Sequence, residues 1–525
     1  MFDINTITHL AVVLIPILPL LAALAIALGF IFNWNREEAG EKETAVIAIS
    51  TAILSFVLTL FLSMSALLNG QQGKIELGQW LLSGDFSVKV SFLLDHLSLT
   101  MAILIGFIML IINRFSANYL HREAGFQRFF ILLCVFHSAM LLIVLAGNAV
   151  LTFIGWELAG VSSYLLIAYS WDRETATRNA GRAFITNRIG DAGFLLGIVF
   201  CFYWLGTVEW DEMLTAMQSK AESPIFIGII VAGFMMAAFA KSAQFPFSAW
   251  ISRALEGPTP SSAVFYGSLM VHAGVYLLLR LEPLLQQVPF LMLGIIFIGV
   301  MTVIYSYFVG LVQTDIKSSF MFATLLQVGL MMIWIGLGLF TLALIHLVVH
   351  AIWRAYQFLH APSFMQMVNR SARPVPIWLS DKEWLYSAAL QRFWLDDIAD
   401  WLLTRPIRAL AHEAHAFDEQ VIDRMTGMPS QSNMLSTLAS WEAHQQGRFQ
   451  LQSEVGIGRG LFGKTMQAIA SILHWFEDNL VLKSSGDGLI NGLDYLGYYI
   501  EKIDSLLSKP RYLLLLIMAT FVIVL

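Results

Sequence analysis

A charged side chain in the middle of a bilayer costs a few kcal/mol or more, so it persists there only with a partner or a task. This sequence carries a series of them inside apolar runs. Glu157 lies in LTFIGWELAGVSSYLLIAYSW, Arg188 and Asp191 in FITNRIGDAGFLL, Lys241 in MMAAFAKSAQFPFSAW, His272 in FYGSLMVHAGVYLLLR, and His346, His350 and Arg354 in LALIHLVVHAIWRAYQFL. The chemistry open to these residue types is proton transfer. Burial disfavours a charged ammonium and a nearby carboxylate favours it, so Glu157 moving toward or away from Lys241 would switch the amine between holding and releasing a proton. Histidine changes charge near neutral pH and relays through two ring nitrogens. His346, His350 and Arg354 recur every four residues, which puts them on one face of one helix. Pro246 follows Lys241, and Pro258 and Pro260 precede the next apolar run. The helix bearing the lysine is therefore expected to be broken, with freed carbonyls able to hold water.

Plainer roles exist for some of these residues. Arg188 and Asp191 are one turn apart and can simply pair, and any single histidine can serve by bonding a neighbouring carbonyl. Glu157 and Lys241 sit mid-run without a partner close in sequence, which makes a purely structural role weakest for them. His346 and His350 have a zinc-compatible spacing, but no carboxylate accompanies them on that face, so no metal site is expected. Residues 458–465, GRGLFGKT, match the phosphate-loop pattern through Gly458, Gly463, Lys464 and Thr465. That pattern has meaning only between a buried strand and a helix; FQLQSEV before it makes a poor buried strand, and the match is read as chance within a flexible joint.

The elements that must position these groups follow from composition. The chain has 525 residues, 57% hydrophobic and only 13% charged, against about 25% charged in soluble proteins. Apolar runs have the length of about 20 to 25 residues that crosses a hydrocarbon core as a helix. Spans are expected near 9–33, 44–68, 91–113, 129–147, 149–170, 185–206, 224–244, 260–280, 289–311, 318–338, 340–361 and 511–525. The fold class is all-α: a polytopic bundle of about twelve transmembrane helices. The first run lacks a preceding basic residue and exceeds a signal-peptide core, so it reads as a retained span. Basic residues of the short loops, among them Arg36, Arg114, Arg122, Arg128, Arg173, Arg178, Arg182 and Arg253, gather on one side, which puts the N-terminus outside.

Residues 362–510 form a second compositional unit, predicted to be cytoplasmic, between the bundle of 1–361 and the last span at 511–525. Helix-period apolar faces (Trp394, Ile398, Leu402; Ile469, Leu473, Phe476) favour docking on a membrane or partner surface over a solvated tail, with Trp441 and Trp475 as anchors. Breaks are read at Pro406, Pro429 and the Gly-rich 456–463. A net charge of -6 gives nucleic-acid binding no electrostatic support. Cys134 and Cys201 both lie in apolar runs and are too few for an iron–sulfur or zinc site.

At FLLDHLSLTM, FIGWELAGVSSYLLI, AFITNRIGDAGF, AKSAQFPFSAWISRALEGPTPSSAV, LVQTDIKSSFMFATLLQVGLM and HLVVHAIWRAYQFL the chain resembles the antiporter-like proton-conducting subunits of respiratory complex I, specifically the L-type subunit. Mrp antiporters, membrane hydrogenases and the DAB inorganic-carbon accumulators have related subunits. The resemblance covers about residues 90–360. It implies that Glu157 is the carboxylate paired with the broken-helix lysine, Lys241, and that His346, His350 and Arg354 continue a central polar axis, with no cofactor in this chain. Three departures stand out. Arg354 occupies a place where the family usually has lysine, and Tyr266 one where it has histidine, with His272 nearby as a substitute. The further spans of a complex I subunit, with the terminal lysine of its exit path, are replaced by the polar region. Residues 393–425 look like the segment near the start of the family's lateral helix.

The shortening makes a DAB-type membrane subunit the first expectation. Such a subunit, driven by protons or Na+, would energise a large zinc-bearing, carbonic-anhydrase-like partner docked near 362–510, in the cell inner membrane. A proton-pumping L-type subunit of a complex I-like quinone oxidoreductase or membrane hydrogenase comes second, and an Mrp-type cation/proton antiporter third.

Overall fold

The signals that punctuate the sequence also mark the ends of the helices in the structure. This is a computed structural model that describes residues 4–417 apart from 33, 35–37, 71–72, 84–85, 221–222 and 368–374. Among the described residues, eleven helices are long and apolar enough to cross a membrane. They are α1 (Ile7–Ile31), α2 (Glu38–Leu68), α3 (His96–Tyr119), α4 (Phe126–Leu145), α5 (Ala149–Ile167), α6 (Glu174–Leu205), α7 (Pro224–Lys241), α8 (Thr259–Arg280), α9 (Pro289–Leu311), α10 (Ile316–Gly336) and α11 (Phe340–Ala361). The chain is a multi-pass helical membrane protein, and the expected spans match these in number and order up to residue 361. The twelfth, at 511–525, lies outside the described residues.

Side-chain caps set several starts by satisfying amide groups that a helix leaves orphaned. Asp95 accepts from Ser98 N, Asn148 from Leu151 N and Asp315 from Ser318 N, each at 2.8 Å. Asn148 is thus the reason the apolar stretch from 126 to 167 is two helices rather than one.

One element is absent from the all-helical expectation. Strands β1 (Gly73–Ser83) and β2 (Phe86–Leu94) pair as an antiparallel hairpin. The alternation of Phe86, Val88, Val90 and Phe92 with Ser87, Lys89 and Ser91 has the period of two that a strand requires. Residues 91–94, expected to open the third span, belong to β2, and α3 begins only after its Asp95 cap.

The bundle is layered by burial. In α4 and α8, 94% and 100% of the most apolar stretch is enclosed, against 28% in α2 and 33% in α9. α4 and α8 therefore form the centre, while α2 and α9 turn residues such as Val57 and Phe297 outward as lipid-facing helices do. Small residues bring α6 and α7 together: a Cβ added at Gly193 would lie 2.8 Å from Gly233 O, and one at Gly233 2.8 Å from Gly193 O. That close approach holds the lysine-bearing helix on the one that carries Arg188 and Asp191.

After α11 the chain returns to the bundle. Leu379 and Ala389 pack with Val312 in an apolar cluster that includes Phe308, Leu385 and Phe393. Contacts divide the chain into Met1–Thr404 and Arg405–Leu525, so residues 375–404 pack with the membrane bundle, beyond the boundary expected at 361. In the second unit Arg405–Phe417 is a helix that runs through Pro406, so the break expected there is not present. Pro429, Trp441, the 458–465 motif, Ile469, Leu473, Phe476 and Trp475 lie outside the described residues.

Candidate ion-translocation site

Lys241 is the last residue of α7, and its side chain is 1% exposed. The helix stops there because residues 242–248 turn, with Ala243 at φ +52° and Pro246 unable to continue a helix. The expected break is therefore present. The carbonyls near it are taken by protein donors: Trp250 Nε1 donates to Ala240 O at 2.9 Å, and Gln244 Nε2 to Ser242 O at 3.0 Å. The indole of Trp250 thus caps the Ala240 carbonyl next to the lysine.

The lysine ammonium donates to Trp156 O at 3.2 Å and lies 5.0 Å from the centre of the Trp156 ring. Trp156 in turn donates from Nε1 to Asp191 Oδ1 at 2.8 Å. Asp191 is ion-paired at 3.1 Å with Arg188, which also pairs with Glu157. The direct Glu157–Lys241 pair expected from the sequence is not formed. Consecutive residues on a helix point about 100° apart, so Trp156 faces Lys241 while its neighbour Glu157 faces Arg188. Gly160, one turn further along α5, leaves room for both cations: a Cβ there would lie 2.9 Å from Arg188 Nη2 and 3.4 Å from Lys241 Nζ. The structure thus gathers Glu157, Arg188, Asp191 and Lys241 around one turn of α5.

The second cluster is built on breaks in α8 and on the long α11. In α8 a π-helical turn at Ala263–Ser268 and a 3-10 turn at Met270–His272 replace regular helix. They turn His272 Nε2 to within 3.0 Å of His350 Nδ1. The His350 ring lies 6.1 Å from that of His346. His346 Nε2 shares a 2.9 Å hydrogen bond with Gln327 Oε1, and Trp334 Nε1 donates to its Nδ1 at 3.3 Å. Arg354, one turn beyond His350, is buried beside the Phe320 ring at 5.7 Å and has no ion pair among the described residues. Tyr266 is fully buried against Phe265 and Phe358, so the nearby His272 supplies the imidazole of α8.

The two broken helices meet between the clusters. Ser242, next to Lys241, donates from Oγ to Val271 O at 2.6 Å, next to His272. Sequence reading missed Trp156, Ser242, Trp250 and Gln327, the groups that tie the charged residues together, because nothing in their own spacing marks them. Only the adjacency of Trp156 to Glu157 hinted at one of them.

Residues 146–374 match the family described as NADH:quinone oxidoreductase/Mrp antiporter, and residues 80–130 match the N-terminus of NADH-ubiquinone oxidoreductase (complex I) chain 5. The chain belongs to the antiporter-like membrane subunit family. Among its relatives, NAD(P)H-quinone oxidoreductase chain 5 of Picosynechococcus is 35% identical over 67% of this chain and 53% of that protein. The chloroplastic subunit 5 of Spinacia oleracea is 35% identical over 68% and 48%. The match spans about half the length of these relatives. Among solved structures, the Mrp complex of Dietzia shares the fold at a TM-score of 0.59 and 20% identity, over 94% of this chain and 60% of that one. An archaeal membrane-bound sulfane sulfur reductase does so at 0.56 and 19%, over 68% and 57%. The broken helices and buried charges described above lie within the matched residues 146–374.

Proposed function

We propose that this chain conducts protons within a larger membrane complex of the quinone-oxidoreductase kind, along Glu157, Arg188, Asp191 and Lys241 and then His272, His350 and His346. The observation that carries the reading is the meeting of two broken helices at Lys241 and His272, inside residues that match the antiporter family. A buried amine beside an ion-paired acid cluster holds or releases a proton according to small movements of the acids. The imidazole pair passes it on by exchanging donor and acceptor roles. Arg354 stays protonated; one turn from His350 and on the side away from His346, its role is to set the field at His350.

The relatives carry the names of quinone oxidoreductase subunits, which favours a redox complex over inorganic-carbon uptake. The zinc-bearing, carbonic-anhydrase-like partner loses its first place with it, and Na+ in place of protons belongs to the Mrp-type alternative. The N-terminus is assigned to the outside on the basic residues of the short loops, and the inner membrane of a cell on the family resemblance alone. In assembled complex, Lys241→Ala should abolish proton-dependent activity; activity retained at the parental rate would defeat the reading. Subunit and metal analysis of the complex isolated in mild detergent identifies the partner: flavin and iron–sulfur subunits for the redox reading, a large zinc protein for carbon uptake.

A further inference from the structure

Residues 392–404 carry more charge pairing than a connector needs. Asp400 pairs with Arg182 of α6, and Asp396 accepts from Arg253 at 2.7 Å and from Arg392 at 3.1 Å, while Arg392 also donates to Ser252 Oγ at 2.8 Å. Three guanidinium groups and two carboxylates thus fasten Leu395–Thr404 over the N-terminal part of α6 and the turn that follows the lysine break. Beneath them is a cavity of about 20 Å³ lined by Arg182, Thr186, Trp250, Arg253, Asp396 and Asp400 among others, room for a single water molecule. Its inner wall reaches the lysine: Trp250 donates to Ala240 O, and Gly190, one turn beyond Thr186, lies against Ala240.

The backbone just before this stretch is strained. Arg392, Phe393 and Trp394 have φ of +51°, +54° and +53°, three consecutive side-chain-bearing residues in the left-handed region, where each costs of order 1–3 kcal/mol. Before that turn the chain is anchored by apolar packing of Leu385 and Ala389 with Val312 and Phe308, and within it Phe393 packs against Tyr305 and Phe308 of α9. Beyond it the ion pairs of Asp396 and Asp400 hold the stretch between its buried ends, Leu395 and Thr404. A strained turn between an apolar anchor and an ionic clamp is the arrangement of a hinged cover.

We propose that residues 395–404 are a lid over the lysine side of the path, clamped by Asp400 on Arg182 and by Asp396 on Arg253 and Arg392, and that its opening about the 392–394 turn admits water to the cavity beside Ala240 and Lys241. Asp396 and Asp400 are positioning residues in this scheme. The inference rests on the proton-conducting reading for its purpose, while the lid itself can be tested separately.

The test is thiol labelling of Thr186→Cys in opened membranes containing the native complex, with a charged methanethiosulfonate. The native Cys134 and Cys201 are buried and give little background. Labelling should be slow in the single variant and about tenfold faster once Asp396→Asn and Asp400→Asn are added, the factor that corresponds to about 1.4 kcal/mol. Exchanging the charges of one clamp, Arg182→Asp with Asp400→Arg, should restore slow labelling, which a merely destabilised segment would not do. Equal rates with and without the clamps overturn the lid. Proton flux in Lys241→Ala, measured on the same membranes, separates the two ideas: parental flux with clamp-dependent labelling leaves the lid standing and defeats the proton-conducting reading.

Discussion

The two clusters of the site hold their polar groups by different means. Around Lys241 the contacts are ionic, with Arg188 bridging Glu157 and Asp191 and with Trp156 placed between Asp191 and the ammonium. Around His350 they run in a row of rings and one amide, from His272 through His350 and His346 to Gln327. The first arrangement fixes charge, because each buried ion has a counter-ion or a carbonyl. The second can stay neutral between transfers, because an imidazole gives and takes a proton at different nitrogens. A charge-holding station beside a neutral row is what stepwise transfer across a bundle requires, and the bond from Ser242 to Val271 holds together the helices that carry them.

That comparison can be broken or sharpened by substitution. Removing the station has the largest effect: Lys241→Met should lower proton flux in sealed vesicles at least a hundredfold, about the lower range for loss of a positioned proton-transfer group. Interrupting the row comes next. His350→Phe should lower flux less than Lys241→Met does, and His346→Phe less again, since His346 is the less buried and stands at the end of the row. Gly233→Ala leaves every polar group in place but forces a Cβ to within 2.8 Å of Gly193 O. Overpacking of this kind costs about 1–3 kcal/mol, so a lowered unfolding temperature in detergent is expected, with flux reduced only as α7 shifts on α6.

The smallest effect concerns the hairpin outside the bundle. Lys74 contacts Glu76 at 3.1 Å, Glu209 at 3.0 Å and Glu212 at 2.9 Å. Hydrogen bonds from Lys89 and Lys74 hold Glu76 below the ordinary carboxylate range; at Glu212 burial pushes up but is outweighed by bonds from Lys74 and Thr207. Carboxylates lowered in this way stabilise the fold above their ordinary pKa of 4.5, and the contribution is lost as pH falls through the lowered values. Glu209 is pushed up by burial against the pull of Ser91 and Lys74, so its contribution has the opposite sign and is lost as pH rises. The protection of β1 and β2 against hydrogen exchange, taken relative to the intrinsic rate at each pH, should therefore fall only modestly below pH 4.5, and no change in flux should accompany it.

Much of this was legible in the sequence. Apolar run length placed eleven spans, because in a bilayer length and hydropathy leave a helix few alternatives. The ionisable residues inside the runs were legible for the same reason, since their cost marks them out. The hairpin was not, because period-two alternation in residues 86–94 adjoins an apolar run and merges with it. Partner choice was not legible either. Glu157 was expected on Lys241 and sits on Arg188, a matter of which face of α5 each neighbour approaches, and spacing along one chain does not encode that. The packing of 375–404 against the bundle was equally hidden, since Asp396 and Asp400 resemble any exposed acids until Arg253 and Arg182 are placed beside them.

The central claim is that the ionic cluster and the histidine row work in series as one path. Residues that act as a unit are strongly non-additive when removed together. Proton flux should therefore be measured in sealed membranes for Lys241→Ala, for His350→Ala and for the two combined, in complex shown to assemble normally. The account predicts that the double variant is no slower than Lys241→Ala alone. Flux that persists in each single variant and falls by the product of the two losses in the double would mean that the clusters act independently, and would contradict it.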